Sequence, residues 1–202
     1  IGAGISGFAA ARYLAAAGAR VTLSDAKEEA DAEKDAVTQK HIEALRTQGI
    51  SCVFGAQREE LIEGTDLIVL SPAVPERIPL VQAARARGIR VTTEVELAGE
   101  IAHAPIYAVT GTNGKTTTTT LLGELLRAHF PAVGIGGNIG VPLIDVAQEI
   151  PADGAIAAEI SSYQMEATTH FHPAVAAELN VTPDHIVRHG SMEVYQAMKE
   201  KL

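Results

Sequence analysis

The chain has 202 residues, 16 Lys+Arg against 25 Asp+Glu for a net charge of −9, 47% hydrophobic residues, a single cysteine and no tryptophan. That apolar content supports one or two packed domains and excludes a disordered chain, while the lone Cys52 excludes a disulfide scaffold or a cysteine-based zinc cluster and fits a reducing cytoplasm. The acidic balance disfavours nonspecific binding to nucleic acid or anionic membrane, and no apolar run approaches the roughly 18 residues of a membrane-inserted helix.

In chain order, Phe8 to Ala17 is Ala-rich and reads as a helix closed by Gly18, followed by a short strand over Val21 to Ser24 that ends at Asp25. Ala26 to Gln48 is charged and reads as helix or part loop, with Ile42 and Leu45 on one face; Ser51 to Phe54 reads as a weak strand. The continuous apolar run Leu67 to Leu70 predicts a strand buried on both faces, then Leu80 to Arg87 a helix capped by Gly88, and Ile89 to Thr92 another strand. A second unit begins near residue 94 with a helix over Glu94 to Ala102. It continues with a strand over Ile106 to Val109, a Gly-rich loop and a helix from Lys115 to about His129. Val133 to Ile135 reads as a strand, Gly136 to Gly140 as a loop, Ala155 to Ile160 and Ala174 to Leu179 as two buried strands, and Ser191 to Leu202 as a terminal helix. This alternation predicts an α/β protein: a Rossmann-like domain over 1–93 and a P-loop-type domain over 94–202, both with mainly parallel sheets. The glycine turn at the start shows only Ile1 of the strand that normally precedes such a turn, and the last helix runs to Leu202, so both ends read as truncations.

Gly2-Ala3-Gly4-Ile5-Ser6-Gly7 matches G-x-G-x-x-G, in which glycines let backbone N–H groups approach a diphosphate at a helix N-terminus. Asp25, at the end of the next strand, can accept hydrogen bonds from a ribose or a base edge. The motif alone leaves three readings open: a dinucleotide site for NAD or FAD, another nucleotide site, or a tight turn without a ligand.

The second motif is Thr110-Gly111-Thr112-Asn113-Gly114-Lys115-Thr116-Thr117 after a strand. Gly111 and Gly114 let the loop wrap phosphate oxygens, Lys115 brings a positive charge to the β/γ phosphates of ATP, and Thr116 offers a hydroxyl to magnesium. Val109 stands where the strict P-loop pattern has glycine, so the loop is a variant. About forty residues on, Glu159 interrupts an apolar strand, and a carboxylate in that position calls for a cation or donors. Ser161, Ser162 and Gln164 can hydrogen-bond a substrate or cap the following turn. His185 can ligate a metal or orient a carboxylate, and no ligand spacing links His170, His172 or His189. Lys199 shares a helix face with Tyr195 and Leu202, which by pattern means a snorkelling lysine with a wet head.

Taken together, the glycine turn, Ser71-Pro72, Thr110 to Thr116, Gly137-Asn138-Ile139-Gly140, Glu159 to Glu166 and Leu179 to His185 resemble the Mur ligases. The glycine turn with Ser71-Pro72 and Gly-Asn-Ile-Gly is similar to the family member that adds D-glutamate; the L-alanine-adding member has His where this chain has Asn113. The resemblance implies ATP-driven amide formation between UDP-N-acetylmuramoyl-L-alanine and D-glutamate. Ile5, Ser6, Asp25 and Ser71 would line the uridine-diphosphate pocket, and Asn138, Ser161 and His185 would contact the muramoyl-alanine part. Gly111 through Thr117 would hold ATP, and Thr116, Glu159 and His185 would serve two magnesium sites. Lys199 matches a family lysine carbamylated by CO2 into a metal-binding anion, so Lys115, Glu159, His185 and Lys199 are the expected catalytic set. The family pattern departs here at Val187, where Asp is frequent, and at Ala73, where Gly is frequent. It further implies an incomplete central domain, a missing C-terminal domain, and a cytoplasmic enzyme that is monomeric when full length.

Overall fold

The computed structural model describes residues 1–32 and 34–202; the helical reading of 26–48 includes Glu33, which lies outside the described residues. The described chain divides into two compact units, Ile1–Glu94 and Val95–Leu202.

In the first unit, α1 (Ile5–Ala16) starts directly after the extended Gly4, three residues earlier than its apolar run suggests. It is followed by β1 (Thr22–Asp25), α2 (Glu29–Ala32) and α3 (Ala36–Thr47). The Asp35 carboxylate caps α3 by accepting the Thr38 N–H at 2.9 Å. Strand β2 (Ser51–Phe54) pairs parallel with β1, with Leu23 opposite Cys52. After a 3-10 turn at Glu59–Ile62 comes β3 (Leu67–Leu70), then α4 (Pro79–Ala86), then β4 (Arg90–Thr93) parallel to β3. Proline at the first position of α4 has its φ preset and lacks an N–H that would have no intrahelical partner there. Phe8, Ala11, Leu23, Ile42, Leu45 and Ile50 form one core, in which the alanines of α1 allow close approach to β1. Strand β3 corrects the expectation of burial on both faces: Ile68 and Leu70 are buried, whereas Leu67 and Val69 are only half-buried.

Ile1 and Gly2 lie between the two strand pairs. The Gly2 N–H donates to Ser24 O at 2.7 Å and the Ser71 N–H to Ile1 O at 2.9 Å, while Ile1 N donates to Val69 O at 2.6 Å. The turn they enter has no spare room, because a Cβ on Gly7 would stand 1.9 Å from the Gly2 carbonyl oxygen. That oxygen also accepts the buried Ser71 hydroxyl at 2.9 Å.

Helix α5 (Glu94–Ile101) starts at the last residue of the first unit, and the second unit continues with β5 (Ile106–Thr110), α6 (Lys115–Leu126) and β6 (Val133–Gly137). It continues with α7 (Leu143–Glu149), β7 (Ala155–Glu159), β8 (Val175–Glu178), α8 (Ile186–His189) and α9 (Met192–Glu200). The four strands form one parallel sheet in the order β6-β7-β5-β8, so β7 inserts between the two strands that precede it in sequence. All five residues of β7 are buried, as a central parallel strand with covered faces requires. Its last residue, Glu159, is in register with Val109 of β5 on one side and Gly137 of β6 on the other. The C-terminal strand ends therefore gather the loops of three strands at one edge, where open α/β sheets place ligands.

Three expectations change here. Strand β8 is exposed along its length, with Val175 54% accessible, since within the described residues it pairs with β5 alone. Gly136 and Gly137 belong to β6, held there by pairing with Ala158 and Glu159. Helix α7, whose Leu143, Ile144, Val146 and Ala147 are buried against the sheet, occupies a stretch with no predicted element. Among the described residues no helix is long and apolar enough to cross a membrane.

The close approach in the opening turn gives a direct test. Gly7→Ala should destabilise the protein by about 1–3 kcal/mol, since the added methyl overpacks against fixed backbone. Urea unfolding should show this as a lower midpoint, and an unchanged midpoint would contradict the geometry of the turn.

Candidate functional site

The loop between β5 and α6 turns on two glycines. Gly111 has φ +147° and Gly114, immediately before α6, has φ +84°, values that L side chains rarely adopt. Because the first turn of a helix has no intrahelical partners for its N–H groups, α6 presents donors and its positive dipole end to the loop. The Lys115 ammonium is folded back onto the same loop, donating to Gly111 O at 2.9 Å and Thr112 O at 3.0 Å. The hydroxyl of Thr112 is already engaged: it lies 3.0 Å from Tyr195 Oη, accepts the Thr182 N–H at 3.0 Å, and is 3.2 Å from Thr182 O. Asn113 and Thr117 are exposed.

Glu159 stands beside this loop at the end of β7, 1% exposed. One carboxylate oxygen accepts the Thr116 hydroxyl at 2.8 Å and the other accepts the Asn138 amide at 2.8 Å. The backbone reinforces the arrangement, since Asn138 N donates to Glu159 O at 2.8 Å. A Cβ on Gly137 would sit 2.3 Å from that same carbonyl, so glycine is required for the approach. A buried anion met by two neutral dipoles has spare capacity for a hard cation, and the hydroxyl–carboxylate donor set suits magnesium. Among the described residues no group of three or more His, Cys, Asp or Glu gathers as a metal cluster. Magnesium commonly takes only one or two carboxylates, with water and substrate phosphates completing its shell.

His185 and Lys199 sit in a second cluster. His185 has φ 53°, the only positive value at a non-glycine among the described residues, and its N–H donates to Asp184 Oδ1 at 2.8 Å. Its exposed ring lies 4.9 Å from that of Tyr163 and 6.1 Å from that of Tyr195. Lys199 corrects the snorkelling expectation: it is 2% exposed and donates to Gly111 O at 2.8 Å, with Nζ 4.6 Å from the centroid of the Tyr195 ring. Burial lowers its amine below the usual lysine range, partly opposed by the charges of Glu178 and Asp184. The structure thus joins Lys115 and Lys199 at one carbonyl, and Thr116, Asn138 and Glu159 at one carboxylate. His185 rests against tyrosines.

The serines after Glu159 are held locally. Ser161 donates its N–H and its hydroxyl to Gln164 Oε1 at 2.8 and 3.0 Å, a reciprocal turn cap. Ser162 Oγ lies 3.0 Å from His189 Nε2, and Arg188 grips Glu166 through two bonds of 2.8 and 2.7 Å. His189 carries no spacing signal because its partner is 27 residues upstream.

In the first unit, Ile5 is 60% exposed and Ser6 half-buried at the start of α1. Both Asp25 carboxylate oxygens accept backbone N–H groups, from Ala3 at 2.7 Å and Lys27 at 2.9 Å. Ser71 is buried with its hydroxyl on Gly2 O. Asp25 and Ser71 therefore fix the shape of the glycine turn.

Residues 1–93 match the family model for the Mur ligase MurD-like N-terminal domain, and residues 109–202 match that for the Mur ligase middle domain. UDP-N-acetylmuramoylalanine–D-glutamate ligase of Koribacter versatilis is 44% identical over 202 residues, and that of Pelotomaculum thermopropionicum 45% identical over 202 residues. Each alignment covers 100% of this chain and 43% of the relative, so the chain spans less than half the length of these relatives. Among solved structures, UDP-N-acetylmuramate:L-alanyl-gamma-D-glutamyl-meso-diaminopimelate ligase from Neisseria meningitides superposes with TM-score 0.59 at 21% identity, covering 100% of this chain and 64% of that one. UDP-N-acetylmuramate-alanine ligase from Thermotoga maritima gives 0.54 at 23%, covering 98% and 44%. Identities this low speak to fold alone.

His189 yields a pH test. Burial lowers its imidazole below the ordinary range, partly opposed by Glu166. The unfolded chain then binds the proton more readily, so stability falls as pH drops below about 6.5. His189→Gln, which can still reach Ser162, should lose less stability between pH 7.5 and 5.5 in urea titrations. An identical acid loss in the variant would remove His189 as its source.

Proposed function

The chain belongs to the Mur ligase family, and from that membership we propose that it supplies the nucleotide- and substrate-holding part of a cytoplasmic ATP-dependent ligase that adds D-glutamate to UDP-N-acetylmuramoyl-L-alanine. The observation that carries this reading is the Thr116 hydroxyl and buried Glu159 carboxylate, 2.8 Å apart beside a glycine loop that opens a helix.

In this reading the first-turn amides of α6 bind the β and γ phosphates. Lys115 leaves its loop carbonyls to neutralise charge on the transferring group. Thr116 and Glu159 would hold a magnesium ion, which when bound supplies Lewis-acid polarisation of phosphate oxygens. Phosphorylation of the alanine carboxylate gives an acyl phosphate and ADP; the D-glutamate amine then attacks the acyl carbon, and phosphate leaves with the C–O electron pair. A carboxylate lacks a leaving group, and this step provides one. Asn138, Ser161 and His185 are proposed to contact the muramoyl-alanine part, and Ile5, Ser6, Asp25 and Ser71 the uridine diphosphate. For Asp25 and Ser71 the contact runs through the backbone that they hold in place.

Lys199 fits the carbamate role by its own chemistry. A depressed amine is more often neutral, and only the neutral amine adds to CO2, releasing a proton as the N–C bond forms. Nζ keeps one N–H after carbamylation, so its bond to Gly111 O can persist while the group's charge changes from positive to negative. The new anion would stand near the phosphate loop as a second magnesium ligand together with His185.

Two measurements on the complete protein test this reading. Lys115→Ala should abolish D-glutamate-dependent ADP release, with L-alanine and a diamino acid assayed beside D-glutamate; normal turnover would contradict the loop assignment. Lys199→Ala should lose activity and regain part of it with acetate or another short acid; full activity without added acid would end the carbamate role.

A further inference from the structure

The phosphate loop is braced from outside. After β8 the chain passes alongside residues 111–113, and Asn180 bonds to the backbone of two successive loop residues. Its carbonyl accepts the Thr112 N–H at 2.8 Å. Its side chain accepts the Asn113 N–H at 2.9 Å and donates to Asn113 O at 3.0 Å. The orientation of the Asn180 amide follows from these partners, since oxygen must face the N–H and nitrogen the carbonyl.

The location of this clamp matters. The peptides it grips lie between Gly111 and Gly114, the two positive-φ residues of the loop. A segment flanked by glycines has little intrinsic preference for one conformation, so its shape must come from contacts. We propose that Asn180 is a positioning residue for nucleotide binding: it fixes the 112–113 peptides so that the amides at the start of α6 remain aimed at a triphosphate. This rests on the reading of 110–117 as a phosphate loop. Asparagine suits the task because it offers an acceptor and a donor side by side. Aspartate would keep the acceptor, lose the donor and bring a negative charge toward the phosphates. Alanine would lose both side-chain bonds and keep the backbone one.

The test uses the complete protein with ATP as the probe. Loss of two hydrogen bonds that preset the loop should raise the KM for ATP in Asn180→Ala by about tenfold. The kcat should change by less than the KM, and the KM for D-glutamate should stay put. Asn180→Asp should be impaired at least as much as Asn180→Ala despite its retained acceptor, and serves as the second variant if alanine is poorly folded. A KM for ATP within twofold of the parent in the folded variants would overturn the proposal, as would a fall in kcat with no change in KM. Lys115→Ala, titrated in parallel by ATP displacement of a fluorescent nucleotide, separates the two levels. If it loses ATP binding while the Asn180 variants do not, the loop assignment stands and the positioning role falls. If it binds ATP normally, the loop assignment itself has failed.

Discussion

A buried carboxylate at the end of a central strand is the constraint around which the second unit is arranged. Glu159 is removed from water on a strand whose other residues are aliphatic, a placement that is strongly unfavourable for an anion without partners. Two bonds, from Thr116 and Asn138, offset part of that cost. They are possible only because β7 lies between β5 and β6, so that α6 and the turn after β6 both reach its end. Sheet order thus decides which side chains meet, and Gly137 is small enough to let the backbone close around the site.

The loop beside it combines freedom and restraint. Glycine at 111 and 114 permits a path that side chains would block, and that permission leaves the loop in need of fixing. The restraint comes from distant sequence: Asn180, Thr182, Tyr195 and Lys199 all bond to residues 111–113. Lys115 and Lys199 both donate to the Gly111 carbonyl, so two amines from distant parts of the chain meet at the start of the loop. The segment that fixes the loop also leads into the strained His185, so the two clusters share one stretch of chain.

Much of this was legible in the sequence because it depends on local chemistry. The glycine turn, the glycine loop that opens α6 and the parallel strands follow from residue type and spacing, and Glu159 stands out because a charge among alanines and isoleucine needs a reason. What was not legible depends on neighbours far along the chain. Lys199 has the periodicity of a snorkelling residue, and only the folded structure puts Gly111 over its ammonium and closes off water. Ala174 to Leu179 has the apolar run of a buried strand, and only the sheet order shows that within the described residues it pairs on one side, with β5. Asn180 sits in an ordinary loop composition, and its bonds to Asn113 span 67 positions. Helix α7 begins directly after Pro142, in a stretch to which the sequence pattern assigns no element.

The central claim is that Glu159 and Thr116 hold the divalent cation of a bound triphosphate. Its most direct test is a crystal structure of the complete protein with manganese and a non-hydrolysable ATP analogue, with the metal located by anomalous scattering. A peak is expected about 2.1 Å from a Glu159 carboxylate oxygen, as magnesium-type coordination requires, with the phosphates over the start of α6. A bound nucleotide whose metal lies away from Glu159, or whose phosphates avoid the 110–117 loop, would contradict it.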